Sequence, residues 1–347
     1  MAAAQNPYTV TFGKEPQSLI PRTMQQSMIL DEFQRTNPSN QVYVIVGPRG
    51  SGKTVFMTNV SKKLAQKDEW ITVELNPERN LLESLVAKLN SERHLVSLFR
   101  EARINLSFLG FGVQIEGEPP IVDIEVAITR MLESLKRHNR RVLITVDEVT
   151  STPAMREFAS AFQIFLRQDL PIYLLMTGLY ENVNSLQNEK SLTFLYRAPK
   201  IALKPLNLGT IARNYQRTLQ VPRATSLEMA RLTRGYSFAF QVLGYLTWEK
   251  GELSEGVIDE YRQYLDDYVY DKIWSELSPG DRRLAVGIAK SKTGKVSDVR
   301  SILDMETNQF NPYRRRLIRK GVTNGEERGY VRFALPCFED YAIEHEE

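Results

Sequence analysis

A chain of 347 residues with 42% hydrophobic and 25% charged residues has room for about two to three domains that each bury a core, and its composition excludes a fibrous repeat and global disorder. Its 45 Lys and Arg against 42 Asp and Glu leave a formal charge of +3, too small a balance to mark a nucleic-acid binder unless the charge is unevenly spread. The one cysteine, Cys337, and three histidines, His94, His138 and His345, at no metal-ligand spacing, exclude a disulfide framework and a cysteine- or histidine-based zinc site, leaving oxygen ligands for any metal.

Residues 1–20 are rich in Asn, Pro, Gly and Gln, lack a sustained period and read as an extended arm. Residues 1–10 hold no basic residue and no apolar core of the length a signal peptide needs, and no window approaches the ~20 apolar residues of a membrane span, so a soluble, cytoplasmic chain without membrane contact is expected. A helix is expected over 24–34. The run Val42-Tyr43-Val44-Ile45-Val46 is short, continuous and rich in β-branched residues, the mark of a strand buried on both faces. It leads into Gly47-Pro48-Arg49-Gly50-Ser51-Gly52-Lys53-Thr54, and a helical pattern follows through Val55, Met57, Val60 and Leu64.

Further strands are expected over 70–75, 142–146, 172–176 and 201–203, and helices over 80–89, 123–136 and 153–167. Alternation of apolar strands with helices implies an α/β fold, a five-stranded parallel sheet flanked by helices on both faces. The stretch between Leu89 and Asp123 is longer than the connection requires. Within it, residues 104–117 alternate on either side of Gly110 and read as an inserted β-hairpin whose apolar tip contacts DNA or a subunit, or packs on the domain. Beyond Pro205 the strands stop and helices are expected over 208–218, 226–233, 236–250 and 254–273. After Ser278-Pro279-Gly280 come helices over 281–290, 297–303 and 312–320 and a strand over 330–335. The chain divides accordingly into residues 1–204, 205–277 and 278–347.

The glycine-rich run fits the phosphate-loop pattern. Glycines let successive backbone N–H groups turn around phosphate oxygens, Lys53 reaches the terminal phosphates, Thr54 offers a hydroxyl to Mg2+, and the following helix adds its N-terminal dipole. The strand Val142-Leu143-Ile144-Thr145-Val146 delivers Asp147 and Glu148 at its C-terminal end, where ligands sit in open α/β sheets. Asp147 suits the magnesium shell, and Glu148 is placed to polarise a water for attack on the γ-phosphate. The alternative is that the two acids only cap the next helix.

With these motifs the sequence resembles the AAA+ ATPases, in the branch that groups bacterial and archaeal ATP-binding proteins with the origin-recognition and cell-division-cycle replication initiators. Asn6-Pro7-Tyr8, Phe12-Gly13, Pro16 and residues 19–22 are similar to that branch's N-terminal box. Tyr313-Arg314-Arg315-Arg316-Leu317-Ile318-Arg319-Lys320-Gly321 and Leu335-Pro336-Cys337-Phe338 resemble its winged-helix ending. The resemblance implies ATP and Mg2+ as cofactors, an all-helical lid, a C-terminal winged helix and nucleotide-dependent homo-oligomers. It places a sensor at Thr177, an arginine finger at Arg197, and Arg22, flanked here by Pro21 and Thr23, on the nucleotide side. Arg234-Gly235-Tyr236-Ser237 resembles the Gly-Tyr-Pro turn of related signalling ATPases, with Phe238 where initiators carry arginine.

Residues 281–338 hold thirteen Lys and Arg against six Asp and Glu, while the last nine residues carry five acids, so the low net charge hides a basic segment. In the helix expected over 312–320, Tyr313 and Leu317 face inward and Arg315, Arg316 and Arg319 lie opposite. Such a helix enters a major groove of double-stranded DNA while Arg328 and Arg332 approach adjacent phosphates. The reading is an ATP-hydrolysing AAA+ protein acting on DNA. Its rivals are a STAND-like signalling switch that uses the winged helix as a clamp or protein-contact module, and a nucleotide-regulated transcription factor.

Overall fold

The computed structural model describes residues 5–11, 13, 15–107, 110, 120–189, 192–325 and 327–346. They form two compact units, residues 22–46 with 56–202, and residues 1–21 with 47–55 and 203–347.

The first unit is the sheet. Strands β1 (Val42–Val46), β2 (Trp70–Leu75), β3 (Arg141–Val146), β4 (Ile172–Gly178) and β5 (Lys200–Ala202) are all parallel, in the order β2-β3-β4-β1-β5. Every residue of β1 and β4 is buried, as the unbroken apolar runs predict for strands covered on both faces. The register sets Val146 beside Met176 and Ile45 beside Thr177. Asp147 therefore leaves β3 at the level of Thr177, the polar residue that β4 carries one step beyond the expected strand end.

The helices of this unit are α1 (Thr23–Gln34), α2 (Lys53–Ala65), α3 (Leu81–Ser91), α4 (Arg93–Glu101), α5 (Ile124–Arg137), α6 (Pro153–Arg167), α7 (Tyr180–Gln187) and α8 (Thr193–Arg197); the first residues of α2 belong to the second unit. Asn80, Asp123 and Thr152 accept the N3 amides of Glu83, Val126 and Met155 at the starts of α3, α5 and α6, satisfying amides that the first turn leaves without a helical partner. Leu85, Val86, Ile128, Leu132, Phe158 and Phe162 fill the core against Val142, Ile144 and Leu174. Part of the long connection before Asp123 is α4, amphipathic with Leu95 and Phe99 buried. The inserted hairpin expected over 104–117 lies for the most part outside the described residues.

The second unit carries α9 (Leu208–Leu219), α10 (Arg223–Leu232), α11 (Ser237–Lys250), α12 (Glu255–Leu265), α13 (Asp271–Ser275), α14 (Pro279–Lys290), α15 (Val296–Leu303), α16 (Thr307–Arg319), the antiparallel pair β6 (Thr323–Asn324) and β7 (Arg332–Phe333), and α17 (Phe338–Glu344). The arm lies on this unit. Tyr8 packs in a cluster with Tyr215 and Phe240, its hydroxyl donates to Asn214, and a Cβ at Gly244 would stand 2.6 Å from its ring. Gly244 is thus required by the close approach of the tyrosine rather than by helix propensity. Phe12 of the arm lies outside the described residues. Among the described residues no helix is long and apolar enough to cross a membrane.

The helix expected over 254–273 is interrupted by a π-helical turn, Asp266–Tyr270, between α12 and α13. Burial, then the carboxylates of Glu344, Asp267 and Asp271, raise the Asp266 carboxyl to about 6, with His345 acting against them. Its charged form is disfavoured in the folded state. The resulting penalty is absent below the ordinary value, grows as pH rises toward 6 and is complete above it. Asp266→Asn is accordingly expected to raise stability at pH 7 by about 1–2 kcal/mol, after allowance for partial exposure. In urea unfolding the gain should disappear at about pH 3.5, where folded and unfolded chains are both protonated there.

Candidate functional site

The glycine-rich loop leaves β1 and turns on two left-handed glycines, Gly50 (φ +67°) and Gly52 (φ +87°). Side chains are disfavoured at both positions by backbone strain. At Gly50 a Cβ would also collide with the Tyr236 hydroxyl. Lys53 is buried and folds back, its Nζ donating to the carbonyls of Gly47 at 3.1 Å and Pro48 at 2.9 Å. Two carbonyls thus hold the ammonium inside the turn that the loop makes. Thr54 follows, half-buried in the first turn of α2.

Three consecutive loop carbonyls are tied to three consecutive residues at the start of α11. The Tyr236 hydroxyl donates to Arg49 O at 2.6 Å, the Phe238 amide to Gly50 O at 3.0 Å and the Ser237 hydroxyl to Ser51 O at 3.1 Å. Burial pushes the Tyr236 phenol far above its ordinary value, with Arg49 opposing, so it remains a donor at all relevant pH. Fixing the carbonyls on this side orients the intervening peptide planes, the requirement for a backbone anion nest. The Arg49 guanidinium pairs with Glu276 at 2.7 Å.

On the sheet unit, the Thr177 hydroxyl donates to Asp147 Oδ1. The Glu148 amide bonds the same carboxylate oxygen at 3.1 Å and Thr177 Oγ1 at 3.2 Å. The Val149 amide donates to Thr177 O at 2.8 Å. Glu148 has φ +51° and is exposed. The left-handed turn displays its side chain immediately beyond a strand end that is otherwise fully buried, and such a conformation persists only where neighbours impose it. The clamp from fully buried Thr177 is that constraint. Gly178 has no room for a side chain, since a Cβ would stand 2.8 Å from Val183 and 3.2 Å from Val149.

The remaining sequence-derived positions are dispersed. Arg22 is the half-buried residue preceding α1, and burial lowers its pKa. Arg197 ends α8 and is exposed beside Tyr196, itself 69% exposed; a core role for Arg197 is excluded. Arg234 donates to Leu335 O at 3.1 Å and pairs with Glu339 at 2.8 Å, so its guanidinium fastens the C-terminal loop.

Four helices, α14 to α17, and a short antiparallel pair follow residue 278, one helix more than the three expected; α16 begins at Thr307 and carries Pro312 inside it, and β7 is shorter than the strand expected over 330–335. Arg315 and Arg319 are exposed on α16, and Arg328 and Arg332 on the hairpin. Arg332 stacks over Tyr330 and lies 3.6 Å from Glu327. Arg316 is half-buried. Its Nε donates to Asp281 Oδ1 at 2.9 Å, its Nη2 to Ser278 Oγ at 3.2 Å, and its guanidinium covers the Tyr313 ring.

The resemblance marks the Gly235-Tyr236-Ser237 turn and Phe238, but not that Tyr236, Ser237 and Phe238 bond the carbonyls of the glycine-rich loop. Nothing in the local pattern marks Glu276.

Taken singly, the oxygen donors suit magnesium: Thr54 in one unit offers a hydroxyl and Asp147 in the other a hard carboxylate oxygen, and magnesium at nucleotide sites takes few protein ligands beside phosphate and water. Among the described residues no group of three or more His, Cys, Asp or Glu is placed to build a metal cage.

Residues 29–168 match a family model described as an ATPase domain predominantly from Archaea, and residues 267–342 match a domain of unknown function, DUF8462. No curated protein matches the chain in sequence. Among solved structures, the chain is similar to a Walker-type ATPase of Pyrococcus abyssi, with 15% identity and a TM-score of 0.66 over 94% of this chain and 96% of that one. It is also similar to the ORC2 protein of Aeropyrum pernix in ADPNP-ADP complexes, with 15% identity and a TM-score of 0.60 over 96% and 95%.

Proposed function

We propose, for a chain whose fold is that of the AAA+ ATPases related to the replication initiators, that it is a cytoplasmic protein that binds and hydrolyses ATP and changes conformation or assembly with nucleotide state. The observation that carries this reading is the phosphate loop itself, two left-handed glycines with Lys53 folded onto the loop's own carbonyls. In this reading residues 1–204 handle nucleotide, 205–277 form the lid, and 278–347 form a winged helix. Residues 47–54 cradle the phosphates, with Lys53 supplying the fixed positive charge. Thr54 and Asp147 are the protein oxygens for Mg2+, which when bound neutralises phosphate charge. Glu148 orients and deprotonates the attacking water, and Thr177 holds the acid pair in position. Arg22 contacts the nucleotide, and Arg197 reaches the nucleotide of a neighbouring copy in a homo-oligomer. Calorimetric titration of the full chain with ATP and ADP in magnesium should give saturable binding; no heat with either nucleotide overturns the reading.

The finer reading is that the protein acts on double-stranded DNA through α16 and the hairpin. Arg315 and Arg319, one helical turn apart and exposed, support it together with Arg328 and Arg332. An Arg315→Ala/Arg319→Ala variant is expected to lose about tenfold in DNA affinity and to flatten the salt dependence, as removal of phosphate contacts does. Arg316→Ala should act differently, because it strips the partner from an Asp281 carboxylate that is 2% exposed. A stability loss of about 2 kcal/mol is expected in denaturant unfolding. Equal DNA affinity of the double variant and wild type rejects α16 as the contact. The signalling-switch reading draws on Arg234, which fastens the C-terminal loop; it requires nucleotide-dependent change without DNA binding.

A further inference from the structure

The phosphate loop is held from a second side, by residues that the nucleotide chemistry does not use. Arg49 Nη2 meets Glu276 Oε1 at 2.7 Å, and the two side chains are 28% and 31% exposed. Glu276 follows α13, in the connection that leads to α14. Its carboxyl is opposed by burial but held below the ordinary value by Arg49 and Lys272, so it is ionised across the neutral range. Lys272 approaches the same carboxylate oxygen at 3.5 Å. Lys320, at the end of α16, donates to Glu276 O at 3.3 Å. The next residue, Gly321 (φ +72°), lies so close to Pro48 that a Cβ there would stand 2.6 Å from the Pro48 Cβ. Pro48 and Arg49 are therefore engaged by the C-terminal part of the unit, while Tyr236, Ser237 and Phe238 hold the carbonyls of residues 49–51.

A loop that accepts and releases a phosphate chain has to rearrange its peptide planes, and each tether raises the cost of doing so. The backbone tethers come from a helix start and have no charge to lose. The Arg49–Glu276 pair is different, because it is partly exposed, adjustable by charge and joined to the segment that ends α16.

We propose that Arg49 and Glu276 form a charge clasp through which the C-terminal segment restrains the phosphate loop and slows nucleotide exchange. The proposal rests on the nucleotide reading above and adds to it a regulator of the same loop. Opening the clasp leaves Lys53 and Thr54 in place and lowers the barrier to loop rearrangement, so release accelerates while the phosphate ligands are unchanged. Any contact that draws Glu276 or Lys320 away from the loop has the same effect.

The test is stopped-flow dissociation of a fluorescent ADP from the full-length wild type, Glu276→Gln and Glu276→Asp. Glu276→Gln keeps the shape and removes the charge. Its dissociation should be about three- to fivefold faster at low salt, the span of a partly exposed ion pair, and the ratio to wild type should shrink toward one near about 1 M salt, where such a pair is screened. Glu276→Asp, which retains the carboxylate, should fall between the two. Hydrogen exchange of nucleotide-free protein supplies an independent readout, with amides of residues 49–53 exchanging faster in Glu276→Gln than in wild type. Equal dissociation and equal loop exchange in the two proteins overturn the clasp while leaving nucleotide binding intact. A rate ratio that does not change with salt assigns the effect to packing rather than charge and also overturns it. Failure of wild type to bind ADP at all removes the nucleotide reading, and the proposal with it.

Discussion

Lys53→Ala is expected to weaken binding of ATP and ADP by about 100-fold or more, because it removes a charge-assisted donor set worth roughly 3 kcal/mol from a site with no other fixed ammonium in the loop. The structure explains why the effect should exceed that of a surface lysine. Lys53 is 7% exposed and its ammonium is held by the Gly47 and Pro48 carbonyls, so its desolvation is met on folding rather than on binding. Phosphates then meet a charge already placed. Truncation also leaves both carbonyls without that donor, which predicts a loop less ordered in the variant even without nucleotide. Equilibrium titration checks the first expectation, and unchanged affinity would show that the loop does not grip phosphate through Lys53.

The second large effect is expected at Glu148. Glu148→Gln preserves size and the left-handed backbone turn at φ +51° but removes the base, so hydrolysis should fall by about 100-fold or more while ATP affinity stays within about threefold of wild type. The Glu148 amide bonds to Asp147 and Thr177 through backbone atoms, so the substitution leaves that hydrogen bonding unchanged. Binding and turnover should therefore separate. A loss of affinity equal to the loss of turnover would indicate a structural acid instead.

The sheet was legible because its signals are local and redundant. Val42–Val46 and the run over 172–176, which β4 extends to Gly178, read as buried apolar strands from composition, and the apolar period over 123–136 marks α5 to within a residue. The starts of α16 and α17 were not legible for a physical reason. Pro312 fits the first turn of a helix, so the pattern suggests a start there, yet α16 accommodates proline in its interior at the cost of a backbone hydrogen bond. Helix α17 begins after Cys337 at φ +59°, a residue without a capping side chain. In α7 the apolar period is diluted by Asn and Gln.

The candidate site divides in the same way. Lys53, Thr54, Asp147 and Glu148 follow from spacing, because their chemistry depends on neighbours in sequence. Tyr236 and Glu276 meet the loop across 187 and 227 positions of chain, a relation that no window contains. Arg316 shows the converse. Helical spacing correctly places it near Arg315 and Arg319, but only packing reveals that Asp281 and Tyr313 engage it. The +3 net charge had the same limit, since it averages a basic segment with an acidic end.

Hydrolysis at Glu148 is tested most plainly by phosphate release from wild type and Glu148→Gln under saturating ATP and magnesium. Wild type should turn over, and release should fall by about two orders of magnitude in the variant with ATP still bound. Release at equal rates in the two proteins, or none from wild type, would contradict that role.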